Sequence, residues 1–223
     1  MKKSQSFPAV LFVSLLFVLL PTMAKADLWD VPVGPGETFR WVFVTSGTTN
    51  ALSSNISYYN DFVNGAADDA ATPITGVLGK STIADIEWRA IALTADQTSY
   101  VFDHEEESSI FTPDSSLVAD SMYKFFVYDL QSPINVSEDG SAVDPAVWTG
   151  FWSQHWLGTT PESMVGYNTF THKGWLYWLP SNTNLEHHLY AISEELTVVP
   201  VPGAFILGML GLSVAGLKLR KHA

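Results

Sequence analysis

Two apolar runs without a charged residue, Ala9–Leu20 and Ala204–Leu217, bracket the chain and confine its water-soluble part to what lies between them. The first follows Lys2 and Lys3, contains only Ser14 as a polar interruption, and ends at Pro21. Ala24 and Ala26 then supply the small residues that signal peptidase requires at −3 and −1. This order predicts a secretory signal peptide over 1–26, because the apolar core is short for a spanning helix. The second run is preceded by Val199-Pro200-Val201-Pro202-Gly203-Ala204 and followed by the basic residues Lys218, Arg220 and Lys221. As a helix, Pro202 to Leu219 would extend roughly 27 Å, enough for a thin bilayer, with the trailing cations on the cytoplasmic side. The chain therefore divides into a signal peptide (1–26), an exported globular domain (27–198) and an anchoring tail (199–223).

Charge sharpens the division. Residues 27–199 keep all 23 acidic side chains but only five of the 11 basic ones, a formal charge of −18. A surface that negative repels nucleic acid and anionic headgroups, so nucleic-acid binding is excluded as a function. No cysteine is present. Disulfides, thiolate zinc sites and cysteine nucleophiles are excluded together, and the fold must hold by packing alone.

Within the domain, hydrophobic periodicity predicts a strand over Thr38–Thr45, apolar on both faces. A helix follows, with Ser54 as N-cap and Ile56, Tyr59, Phe62, Val63, Ala66 and Ala67 at helical spacing, ending near Asp68–Ala71. Further strands are predicted at Glu87–Leu93, Tyr123–Leu130, Val147–Phe151, Gly174–Leu179 and Leu189–Ser193, with 95–118 as a loop. One helix and many short strands indicate an α+β domain.

The tail VPVPGAFILGMLGLSVAGLKLRKHA resembles the tripartite sorting signal of PEP-CTERM proteins, in the variant in which no Glu separates the prolines. That resemblance implies passage through the Sec translocon and signal peptidase. It further implies a transient inner-membrane intermediate, processing by an exosortase-type enzyme near the Pro motif, and release to the bacterial cell surface or extracellular matrix. The segments RWVFVTS, SSNISYYNDFV, EWRAIAL, VWTG, GWLYW and LYAIS follow one another in an order similar to C-type-lectin-like or endostatin-like modules. This second resemblance implies a single domain of short twisted antiparallel sheets with one main N-terminal helix and long loops, lying between the signal helix and the transmembrane helix. The sequence lacks the calcium motifs of the sugar-binding members, so calcium-dependent lectin activity is not implied.

No cofactor, metal or catalytic set is predicted. The acidic run 103–107 lacks the Gly-turned alternation of an EF-hand and reads as a solvated loop. His187 and His188 are adjacent and face opposite sides of a strand, while His155 and His172 are isolated. Neither His-Glu-x-x-His nor Gly-x-Ser-x-Gly occurs, which argues against an enzyme. The tryptophans carry more information. Trp148, Trp175 and Trp178 fall on strand-like segments and are expected in the core. Trp152 and Trp156, in a polar Gly-containing stretch, are the candidate ligand contacts, with Asn182 and Asn184 as possible polar partners. The expected function is a non-enzymatic surface or matrix protein with a structural or adhesive role; the alternative is a module that binds matrix exopolysaccharide.

Overall fold

A computed structural model describes residues 28–98, 107–151, 155–158 and 161–200. The predicted signal peptide with Ala24 and Ala26, the tail from Val201 through Lys218, Arg220 and Lys221, Trp152, and most of the acidic run lie outside these residues.

The sheet is organised around β1 (Thr38–Val44), where every residue after Thr38 is buried. Alternation along β1 explains this. Phe39, Trp41 and Phe43 point into one core, and Val42 and Val44 point into a second on the opposite face. The long strand β8 (His188–Ser193) repeats the pattern, with Leu189 and Ala191 in the first core and Tyr190 and Ile192 in the second. A strand apolar on both faces must be covered on both, and here it is.

The remaining strands are short: β2 (Trp88–Ala90), β3 (Ser109–Phe111), β4 (Leu117–Ala119), β5 (Ala146–Trp148), β6 (Glu162–Tyr167), β7 (Leu179–Asn182) and β9 (Leu196–Thr197). They assemble into a nine-stranded sheet of order β4-β3-β1-β8-β5-β6-β7, with β2 also on β8 and β9 also on β1. The sheet is mixed, because β1–β3 and β5–β8 pair in parallel.

The first core is covered by the helix α1 (Ile56–Ala70), which buries Tyr59, Val63 and Ala67 at i, i+4, i+8. Its N-cap is Asn55 rather than Ser54, the Asn55 side chain accepting from Ser57 N–H at 2.9 Å. α1 also closes the open side of β2. Asn64 Oδ1 accepts from Trp88 N–H at 3.0 Å, Asn64 Nδ2 donates to Trp88 O at 2.7 Å, and Asn60 Oδ1 accepts from Ala90 N–H at 2.9 Å. Two asparagines one helical turn apart thus take the place of a neighbouring strand.

The second core is covered by the helix α2 (Met122–Val127), which was expected as a strand. Ser121 caps it by accepting from Lys124 N–H at 3.3 Å, and Lys124 pairs with Asp120 at 2.6 Å. Met122 and Phe125, three residues apart, are buried, whereas Tyr123 and Val127, which would share the face of Phe125 in a strand, are exposed. Two other expectations fail for similar reasons. Gly174–Leu179 is not a strand: Lys173–Trp175 forms a 3₁₀ turn. The expected loop 95–118 contains β3 and the start of β4.

The fold expectation is corrected as a whole. In place of short twisted antiparallel sheets with terminal membrane helices, the described residues form a mixed α+β domain with one open sheet and two short helices. No helix among them is long and apolar enough to cross a membrane. The longer one, α1, has 15 residues and carries Asp61, Asp68 and Asp69, where a crossing helix needs about 20 largely apolar residues.

Candidate functional site

β7 is the free edge of the sheet beyond β6, and Pro180 within it offers no N–H to an additional strand. The segment leading into β7 is held tightly. Gly166 on β6 has no side chain, so the backbone of Trp175 lies directly on the sheet there. Trp175 is then fully buried, and Thr149 Oγ1 donates to Leu176 O at 2.6 Å. Lys173 Nζ donates to the carbonyls of Phe126 (2.6 Å) and Tyr128 (3.1 Å), tying the segment to the end of α2. Burial holds the Lys173 ammonium below its ordinary pKa, and the carboxylate of Asp129 opposes that shift.

Once past this anchor the chain turns its aromatic residues outward. Trp178 is 53 % exposed, the most exposed tryptophan among the buried and exposed side chains of the described residues. Its neighbours fix its orientation. Tyr167, Phe170 and His172 form a three-ring stack, with centroids 5.5 Å apart from Tyr167 to Phe170 and 4.6 Å apart from Phe170 to His172. Trp178 stands against this stack at 73° to Phe170, with centroids 5.1 Å apart. The stack is itself secured, because His172 Nδ1 accepts from Gly174 N–H at 3.0 Å and caps the 3₁₀ turn. Trp178 also lines a cleft of about 240 Å³ with His155, Met164, Tyr177 and Pro180. An indole braced edge-on by other rings can meet a flat, partly apolar ligand without first losing rotamer freedom.

The tryptophan expectations therefore divide. Trp148 and Trp175 are core residues, fully buried, but Trp178 is not. Trp156 is half-buried beside β6, with its carbonyl accepting from Ser163 Oγ at 3.1 Å, and Trp152 lies outside the described residues. Asn182 and Asn184 bond to each other, Asn184 N–H donating to Asn182 Oδ1 at 2.9 Å, which shapes the turn after β7.

A larger cleft of about 520 Å³ runs between α1 and the Ser46–Gly47 turn, and four carboxylates line it: Asp61, Asp69, Glu138 and Asp139. Two of these serve the fold. The Glu138 carboxylate accepts from Ser46 N–H (2.9 Å) and from the Ser46 hydroxyl. Asp139 accepts from Ser137 Oγ and Ser141 N–H, and hydrogen bonding to Ser137 and Ser141 holds its carboxyl below the usual range. Among the described residues no group of His, Asp and Glu is arranged to hold a metal ion.

The adjacent histidines have separate partners. His188 Nδ1 lies 2.7 Å from Thr45 O and 3.1 Å from Gly47 O, two acceptors that assign the proton to Nδ1. His187 Nε2 is 3.0 Å from Ser181 Oγ, and its ring packs on Trp148 at 4.7 Å. Ser181 and the cleft-lining Pro180 are consecutive in β7 and face opposite sides of the sheet. Burial lowers the His187 pKa from 6.5; Asp144 opposes the shift and His188 adds to it. The folded protein thus takes up this proton less readily than the unfolded chain, so the contribution of neutral His187 is complete above about pH 6.5 and is lost as pH falls below that. A urea midpoint that drops more between about pH 7.5 and pH 5 in the wild type than in His187→Gln is the expected result. Equal drops would show that His187 is not responsible.

No protein-family model and no curated protein matches the chain. The expectation of a sorted protein with a membrane-anchored intermediate is corrected. A PEP-CTERM-type, exosortase-sorted surface protein with a membrane-anchored intermediate requires a transmembrane helix, and the described residues contain none. Nothing in the comparisons supports the Sec translocon, signal peptidase, an exosortase or the inner membrane as partners. Of the Val199–Ala204 motif only Val199 and Pro200 are described, and Val199 N–H donates to Gly76 O at 2.8 Å, so this end of the domain is held to its own surface.

Proposed function

We propose that the domain is a non-enzymatic binding module that holds a ring-shaped ligand with an apolar face, such as the C–H face of a sugar ring, against Trp178. The observation that carries this reading is the combination of exposure and bracing. A large indole is more than half exposed at a sheet edge, yet its orientation is set by Phe170 and the stack behind it. Solitary exposed apolar residues are ordinary, but here the indole adjoins a cleft. The strongly acidic domain disfavours nucleobases carried on phosphate and leaves neutral rings as the natural class. The reading uses neither the tail nor Trp152 and Trp156.

Titration of the full-length chain with neutral oligosaccharides, followed by tryptophan fluorescence, tests it. Replacing Trp178 by alanine is expected to weaken binding at least ~10-fold, the equivalent of about 1.4 kcal/mol. The same change should alter stability by less than ~1 kcal/mol, as at other surface positions. Binding that survives Trp178→Ala unchanged, or no binding to any member of the panel, would remove the proposal.

A further inference from the structure

The cleft beside Trp178 has a composition at odds with the rest of the molecule. The domain carries a formal charge of −18 over 27–199, yet no carboxylate among the described residues lines this cleft. Its walls are Met164, Pro180, Tyr177 and the indole of Trp178, with the imidazole of His155 as the polar exception apart from the Tyr177 hydroxyl. Met164 is 5 % exposed and held in β6 opposite Pro180, so this wall is part of the sheet. A thioether is polarisable and adapts to small apolar groups. At about 240 Å³ the cleft is small for a complete ligand site and of a size for one part of a ligand whose remainder lies outside it.

Resting on the reading of Trp178 as a ring platform, we propose that this cleft is a subsite for an acetamido substituent, so that the preferred ligand is an N-acetylated amino sugar rather than a plain hexose. A ring on Trp178 places its substituents at the margin of the indole, and the cleft begins at that margin because Trp178 forms one of its walls. The acetamido methyl gains apolar surface from Met164 and Pro180, where a hydroxyl in the same position would gain little. The amide is neutral and brings no charge into a domain already strongly negative.

Chito- and cello-oligosaccharides of equal length make the comparison, because they differ at C2 by acetamido against hydroxyl. With the full-length chain, the chito-oligosaccharide is expected to bind ~10-fold more tightly or better. Pro180→Asp puts a carboxylate at the cleft on an exposed edge strand, where the fold tolerates it. It should reduce the preference to less than ~2-fold by weakening chito-oligosaccharide binding. Equal affinities in the wild type, or a preference unmoved by Pro180→Asp, would overturn the acetamido subsite while Trp178-dependent binding stood. Loss of all binding in the wild type, or indifference to Trp178→Ala, would instead overturn the platform beneath it.

Discussion

Gly166→Ala is expected to destabilise the fold severely, whereas Gly65→Ala is expected to stabilise it slightly. At Gly166 an added Cβ would lie 1.8 Å from Trp175 O and 2.5 Å from Trp175 C, both backbone atoms. Neither side can yield. β6 is paired on one side with β5, where Gly166 faces Val147, and on the other with β7. The opposing carbonyl belongs to a fully buried tryptophan whose N–H donates to His172 O at 3.0 Å, and the next carbonyl is taken by Thr149. Overpacking commonly costs 1–3 kcal/mol where side chains can adjust, and with backbone on both sides the cost here should exceed ~3 kcal/mol. That is a large share of a typical total of about 5–15 kcal/mol. In α1, by contrast, a Cβ at Gly65 meets nothing within 4 Å. There alanine should raise stability by roughly 0.5–1 kcal/mol through helix propensity. Circular dichroism and urea unfolding of the two variants make the comparison, and a cooperatively folded Gly166→Ala protein with the wild-type midpoint would refute the close approach. The same variant bears on function, since the approach of Trp175 to Gly166 is what turns Trp178 outward.

Trp88→Ala should be the most damaging truncation in the first core. Trp88 is 1 % exposed, and its ring meets Phe43 at 4.7 Å and Trp29 at 5.7 Å. Trp29 in turn meets Trp41, and Trp41 meets Phe39. This chain of edge-to-face rings does what disulfides cannot do in a protein without cysteine. Removing the indole leaves a cavity and takes the 2.9 Å Nε1–H bond away from Ile83 O, which keeps only the longer bond from Ile86 N–H. The expected loss is about 3–5 kcal/mol, against roughly 1–2 kcal/mol for Trp88→Phe, which fills most of the space and forfeits the donor. A thermal-unfolding series should rank wild type, Phe and Ala in that order. If Phe and Ala were equally destabilised, the hydrogen bond rather than the packing would dominate.

The elements legible from sequence were those whose own periodicity encodes their surroundings. β1 was readable because TFRWVFV is apolar on both faces, and the sheet buries both. α1 was readable because Tyr59, Val63 and Ala67 repeat at helical spacing, although its cap is Asn55. The stretch Tyr123–Leu130 was misread because YKFFVYDL is dense in aromatics, which suit a strand and a helix equally when only composition is weighed. Ser121 was the local signal that decides it, a capping hydroxyl in front of a buried i, i+3 pair. The terminal runs, read as a signal peptide and a spanning helix, lie outside the described residues, and no helix among those residues is long and apolar enough to cross a membrane.

By itself the sequence determined that an acidic, cysteine-free domain must hold by packing alone, and that a strand apolar on both faces near 38–45 would be followed by an amphipathic helix. Which tryptophan faces outward was decided by the tertiary structure. Trp175 and Trp178 stand three residues apart in the same GWLYW stretch, and one is fully buried while the other is 53 % exposed. Nothing in their local pattern separates them. Their separation depends on a contact with Gly166 of β6, which presses the backbone of Trp175 onto the sheet and leaves Trp178 at its edge. A burial set by a backbone contact between distant segments cannot be read from periodicity, because periodicity reports the faces of an element and not the path of the chain between elements.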